Sequence, residues 1–151
     1  MRQDEIANKN KFVVSFRFSV SFGNFEASFK EISGIAKELR VEEVVCGGQN
    51  NFKYKLPTIV SNKNLVLKRA IVLKDSGLYD WCSETLDNNY ANGINTKNVT
   101  VRLLNPSGAP VWQWLFYNAY PINYSVSDFN SQESTLVIES IELAYNYFDL
   151  Q

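Results

Sequence analysis

Cys46 and Cys82 are the only thiols in the chain, and no histidine stands anywhere to activate them. A Ser/His/Asp or Cys/His nucleophile arrangement is therefore impossible within one chain, and the commonest metal ligand and general base is missing as well. No GxSxG, SxxK or GxxxxGK pattern occurs. Cys46-Gly47-Gly48 lacks the strand-to-helix setting of a phosphate-cradling loop, so its glycines read as a left-handed turn at a strand end. Glu42 and Glu43 are adjacent, which in a strand sends them to opposite faces. Asp80 and Glu84 form an i, i+4 pair suited to the solvated side of a helix. Neither is an acid/base dyad. With no CxxC or Cys/His cluster, the two cysteines are expected as buried or half-buried free thiols, a disulfide being the alternative. The chain is thus expected to hold no catalytic residue, no metal and no cofactor.

The 151 residues suit a single domain, and 45% apolar residues with 3 Trp, 8 Tyr and 10 Phe exclude disorder as its main description. Fifteen Lys and Arg against sixteen Asp and Glu leave a formal charge of −1, scattered without a basic stripe, which disfavours nucleic-acid binding. Neither a signal-peptide-like start nor an apolar run of membrane-spanning length is present, so a soluble protein made in the cytoplasm, without stable membrane insertion, is expected. The sequons at Asn98 and Asn123 then read as ordinary strand residues. Trp112, Trp114 and Phe116 share one strand parity with Tyr117 and Tyr120 nearby, and read as a buried face rather than a stacking platform for bases or sugars.

The elements that would carry these residues are mostly strands. KFVVSFRFSVSFG places Phe12, Val14, Phe16, Phe18, Val20 and Phe22 on one parity and Ser15, Arg17, Ser19 and Ser21 on the other. Gly23-Asn24 turns the chain into FEASFKEISGI. ELRVEEVVCGG alternates Leu39, Val41 and Val45 with charge, and the stretch from Cys46 to Asn64 has the Gly, Asn and Pro punctuation of a long loop. LVLKRAIVLK and NVTVRLLN are further strands. Between them Leu78, Cys82 and Leu86 recur at helical spacing, predicting one helix over about 77–91. VWQWLFYNAYPINYSVSDF reads as a strand pair or one strand bent near Pro121, and STLVIESIELAYNYF as two segments with a bulge near Glu139. The sum is a mainly β fold: an antiparallel barrel or sandwich of seven or eight strands with one flanking helix. One helix cannot cover that much strand edge and apolar face, which points to oligomerisation.

In order and spacing, FVVSFRFSVSFGNFEASFKEISGI, Glu42-Glu43 leading into Gly47-Gly48-Gln49-Asn50, Lys55-Leu56-Pro57, LVLKRAIVLKDSGLYDWC, VTVRLLNPSGAPVWQWLFYNAYPINY and ESIELAYNYF resemble the phage tail tube proteins from about Phe12 to Phe148. One departure is the Arg69-Ala70 step, where many relatives carry a glycine. The resemblance implies a small barrel akin to the type VI secretion tube protein, six copies per ring, and rings stacked into a hollow tube. Its implied partners are further copies of itself, a contractile sheath, baseplate or spike and terminator proteins, and protein or DNA cargo in the lumen. Its place would be a phage tail or an injection particle, extracellular or membrane-anchored, after assembly in the cytoplasm. The resemblance further implies that residues 46–64 extend toward the neighbouring ring, with Glu42, Glu43, Gly47, Gly48, Gln49, Asn50, Asn51, Lys55 and Pro57 in contact. It puts the helix residues Leu78, Tyr79, Trp81, Cys82 and Leu86 against the barrel, and residues 1–10 as an arm ordered only by ring contact. Ser15, Arg17, Ser19 and Ser21 are expected to face the lumen or a wet subunit boundary. The alternatives are an adaptor joining tube to spike and, less favoured, a carbohydrate-binding or enzymatic β-barrel.

Overall fold

The computed structural model describes residues 16–45, 53–70, 76–87, 93–127 and 137–151. In chain order its elements are β1 (Arg17–Phe22), β2 (Phe25–Phe29), β3 (Glu31–Ser33), β4 (Lys37–Val45), β5 (Lys53–Asn62), β6 (Leu65–Ala70), α1 (Ser76–Asp87), β7 (Lys97–Leu104), β8 (Pro110–Val126), β9 (Ile138–Ala144) and β10 (Tyr147–Leu150). Eight strands form one antiparallel sheet in the order β2-β1-β7-β8-β9-β6-β3, with β10 also on β8, while β4 and β5 pair only with each other. The mainly β architecture, with one helix among the described residues, is as expected. The stretch expected as a loop from 46 to 64 differs, since residues 53–62 are a strand.

Two bent strands allow a single sheet to form both walls of the core. β2 and β3 stand at opposite ends of the strand order yet are separated only by Lys30, whose N–H donates to the Lys68 carbonyl at 3.0 Å. The sheet therefore rolls until its ends meet. The broken alternation of FEASFKEIS has this cause, because the strand leaves β1 after Phe29 and joins β6 at Glu31. β8 bends on the far side: Pro110 to Ala119 pair with β7, and Tyr120 to Val126 with β9. Asn118 at φ 53° and a register shift between Pro121 and Asn123 absorb the turn. Gly34 serves the same closure, since its φ of +91° suits glycine and a Cβ there would collide with the Asn64 carbonyl oxygen.

Inside lie Val20, Phe22, Leu65, Leu67, Val99, Val101, Phe116, Ile141 and Leu143, all fully excluded from water. One row of this core is not apolar. Arg69 and Glu139 stand opposite each other on β6 and β9, both buried, joined through Arg69 Nε to Glu139 Oε2 at 3.2 Å. The guanidinium also lies 5.2 Å from the Phe29 ring centroid, and the Tyr124 hydroxyl bonds to the Glu139 carboxylate. This pair corrects the bulge expected near Glu139. Glu139, Ile141 and Leu143 share the buried parity of β9, whose pairing with β6 is uninterrupted. The parity switch in LVIESIEL arises because a carboxylate occupies a core position; the bulge is on β8, and the break between the two final strands comes at Tyr145-Asn146.

A buried ion pair contributes little net stability, yet loss of one partner leaves the other charge uncompensated. Arg69→Met or Glu139→Gln alone should lower the urea unfolding free energy by about 3–5 kcal/mol, whereas Arg69→Met with Glu139→Leu should recover most of that loss. Equal loss in the double variant would show that the two side chains do not act as a pair.

Candidate assembly surfaces

The helix seats first. Leu78, Trp81 and Cys82 are buried, with the Trp81 ring 5.6 Å from Phe22 and its Nε1 donating to the Asn95 carbonyl at 2.8 Å. Gly77 has no room for a side chain, because a Cβ there would strike the Phe25 ring. Leu86 departs from its expected role, being 39% exposed, and Thr85 is buried instead. The i, i+4, i+8 pattern misses this because the last described turn of α1 buries Thr85 rather than Leu86. Tyr79 is also exposed and meets Tyr124 edge-to-face at 5.8 Å, the two lining a crease of about 170 Å³ with Cys82, Ser83, Leu86 and Asp87. The helix residues expected from 88 to 91 lie outside the described residues.

Burial, reinforced by the nearby Glu139 charge and opposed by Arg69, pushes the Cys82 thiol up to about 12. It is free and protonated, with no thiolate for chemistry. Cys46 lies outside the described residues. No group of three potential metal ligands occurs among the described residues, and no helix there is long and apolar enough to cross a membrane.

The outer face of the β2-β1-β7-β8-β10 wall is polar and cross-linked. Ser19 Oγ donates to Glu26 Oε1 between β1 and β2. Arg102 on β7 donates through Nη1 to Ser21 Oγ at 2.9 Å and through Nε to Gln113 Oε1 at 3.1 Å. Two separate groups of bonds thus link β1 to β2 and β1 to β7 and β8, and the same face carries Arg17 and Arg102 beside Glu26 and Asp149. The predicted set Arg17, Ser19 and Ser21 does share this face, although Ser19 is buried beneath its neighbours and only Arg17 is freely exposed. Ser15 lies outside the described residues. The partners Glu26, Arg102 and Gln113 have no motif in the sequence, because register brings them together.

The β4–β5 hairpin is the second surface. Glu42 stands opposite Leu56 and Glu43 opposite Lys55, so the two carboxylates do point apart, and Glu42, Glu43, Lys55 and Pro57 are all exposed. Gly47, Gly48, Gln49, Asn50 and Asn51 lie outside the described residues. The hairpin is anchored at its base, where Asn62 Nδ2 donates to the Asn146 carbonyl and the Lys37 ammonium sits 4.7 Å over the Phe148 ring. Beyond that base, the alternation of Leu39 and Val41 creates an apolar face about half exposed.

The third surface corrects the expectation that Trp112, Trp114 and Phe116 form one buried face. Phe116 is fully buried and Trp114 half-buried, but Trp112 is 49% exposed, stacked on Trp114 at 6.3 Å. They do share the inner face, yet the second wall covers it only diagonally.

The family of T4-like virus tail tube protein gp19 matches residues 14–149. The chain belongs to this family. Among solved structures it is similar to a chain of the anti-feeding prophage (AFP) baseplate at 26% identity and TM-score 0.76, covering 91% of this chain and 93% of that one. It is also similar to a chain of the PVC sheath–tube complex of an extracellular contractile injection system, at 24% identity and TM-score 0.75, over 89% and 88% of the two chains. Hcp1 from Flavobacterium johnsoniae shares the fold at 15% identity and TM-score 0.60, over 89% and 94%. No curated protein matches the sequence. The tail tube fold therefore has its sheet, helix and projecting hairpin in this chain.

Thiol chemistry checks the helix seating. In a Cys46→Ser background, Cys82 should resist a maleimide in the native protein at pH 8 and react on unfolding. Because its thiol titrates near 12 in the fold and near 9.0 when unfolded, it should contribute a fall in stability as pH rises from about 9 to about 12. Cys82→Ala should flatten that part of the pH profile; fast labelling of the native protein would contradict the burial.

Proposed function

We propose that this tail tube protein is the main repeating subunit of the hollow inner tube of a contractile particle, a phage tail or an extracellular injection device, and that it performs no catalysis. Six copies close a ring through one heterologous contact, and rings stack through a second that does not close, which yields a filament. The polar network of Arg17, Ser19 and Ser21 lines the lumen, with Ser15 continuing it. Its balanced charge lets a cargo pass without strong electrostatic retention. The hairpin with Glu42, Glu43, Lys55 and Pro57, and its tip from Gly47 to Asn51, reaches the neighbouring ring. Sheath, baseplate or spike, and terminator proteins are the partners, and assembly takes place in the cytoplasm.

The observation that carries this reading is a family match across nearly the whole chain together with a hairpin whose strands, among the described residues, pair only with each other. A compact chain without a large insertion favours the tube subunit over an adaptor. Negative-stain microscopy of the concentrated protein should reveal rings and stacked tubes, with six-fold symmetry in end-on views. A strict monomer would reject the reading, and single rings that never stack would favour the adaptor. In Cys46→Ser/Arg17→Cys tubes, a small gold–maleimide label should run along the tube axis; label on the outer surface would exclude the lumen assignment.

A further inference from the structure

Among the exposed apolar surfaces of the described residues, two differ in shape. The first is a corner of the inner face of the β2-β1-β7-β8-β10 wall. Its rows run Phe22-Val99-Phe116-Phe148, then Val20-Val101-Trp114-Leu150, then Phe18-Leu103-Trp112. The first row is buried throughout, but in the second exposure rises to 54% at Leu150, and in the third to 49% at Trp112. This corner adjoins β10, which among the described residues pairs with β8 alone. The second surface is the hairpin face that carries Leu39, Val41 and Pro57, the first two 54% and 50% exposed. Leu39 and Val41 stand two and four residues beyond Lys37, so this face begins about 7 Å from the base of a hairpin whose strands of nine and ten residues run about 30 Å.

We infer that the corner formed by Trp112, Trp114 and Leu150 receives the Leu39-Val41-Pro57 face of the hairpin from a second copy of this chain. The inference rests on the tube reading and names the surface that the hairpin would occupy. Its support is the match of size and shape. Each surface offers roughly 200–300 Å² of apolar area, on the scale of a functional patch. One is a slender ribbon and the other a shelf bounded by β10. The area falls well short of the ~800 Å² per partner of a standard stable interface, so one such contact would not hold a dimer and would persist only when repeated around a ring. Because the two surfaces are different parts of one chain, the contact is heterologous and passes from copy to copy. The opposite hairpin face, with Glu42, Val44 and Leu56, stays outside it.

The test uses full-length protein with Cys46→Ser and two added cysteines. After assembly, Leu39→Cys/Trp112→Cys treated with a short bis-maleimide should give a ladder of covalent multimers on a denaturing gel. Val44→Cys/Trp112→Cys should give at least five-fold less. Leu39→Cys/Leu150→Cys is a second receiving position, read in place of the first if the Trp112 variant fails to assemble while the Cys46→Ser parent does. Tubes that yield no ladder from the Leu39 pairs, or an equal ladder from the Val44 pair, overturn this inference and leave the tube reading standing. A parent protein that forms neither rings nor tubes overturns both.

Discussion

A single sheet has to supply both walls of one core, and most of the molecule follows from how it does so. A sheet buries one face only if something packs against it, and here that something is the other end of the same sheet. The chain achieves this by bending two strands, at Lys30 and between Asn118 and Asn123, rather than by adding a second layer. The bends leave the walls unequal in extent. Phe22 and Phe116 are sealed, while Trp112 and Leu150 on the same face look out past the edge of the opposing wall. The twelve-residue helix covers the open side near Phe22 and Phe25 but not that corner.

The Arg69–Glu139 pair belongs to the same constraint. It stands at the last row of the core, where β6 and β9 still pair, with Tyr124, Phe29 and the helix thiol Cys82 around it. A charge pair in such a place is costly to desolvate and tolerates no missing partner, so it adds little net stability while its loss by halves is strongly destabilising. The neighbouring Cys82 remains a protonated packing group.

The remaining surfaces divide by polarity. On the outer face of the larger wall, Ser19 with Glu26 ties β1 to β2, and Arg102 with Ser21 and Gln113 ties β7 to β1 and β8. The hairpin and the Trp112 corner are apolar and open. Monomeric proteins seldom leave several large apolar groups on a projecting ribbon, because such a ribbon invites association. In a tail tube protein, association is the function.

Much of this was legible along the chain. Alternation in RFSVSF and NVTVRL and the β-branched enrichment of LVLKRAIVLK assign strands, since side-chain direction in a strand has period two whatever the partner. The spacing of Leu78 and Cys82 assigns the helix on the same ground, and the missing histidine bounds the chemistry. Tertiary structure alone decided the rest, because alternation says which residues share a face but not what covers it. Trp112 and Leu39 have the pattern of buried residues and are exposed, Glu139 has the type of a surface residue and is buried, and residues 53–62 read as a loop until β4 pairs with them. Each of those outcomes depends on where another strand, distant in sequence, comes to rest.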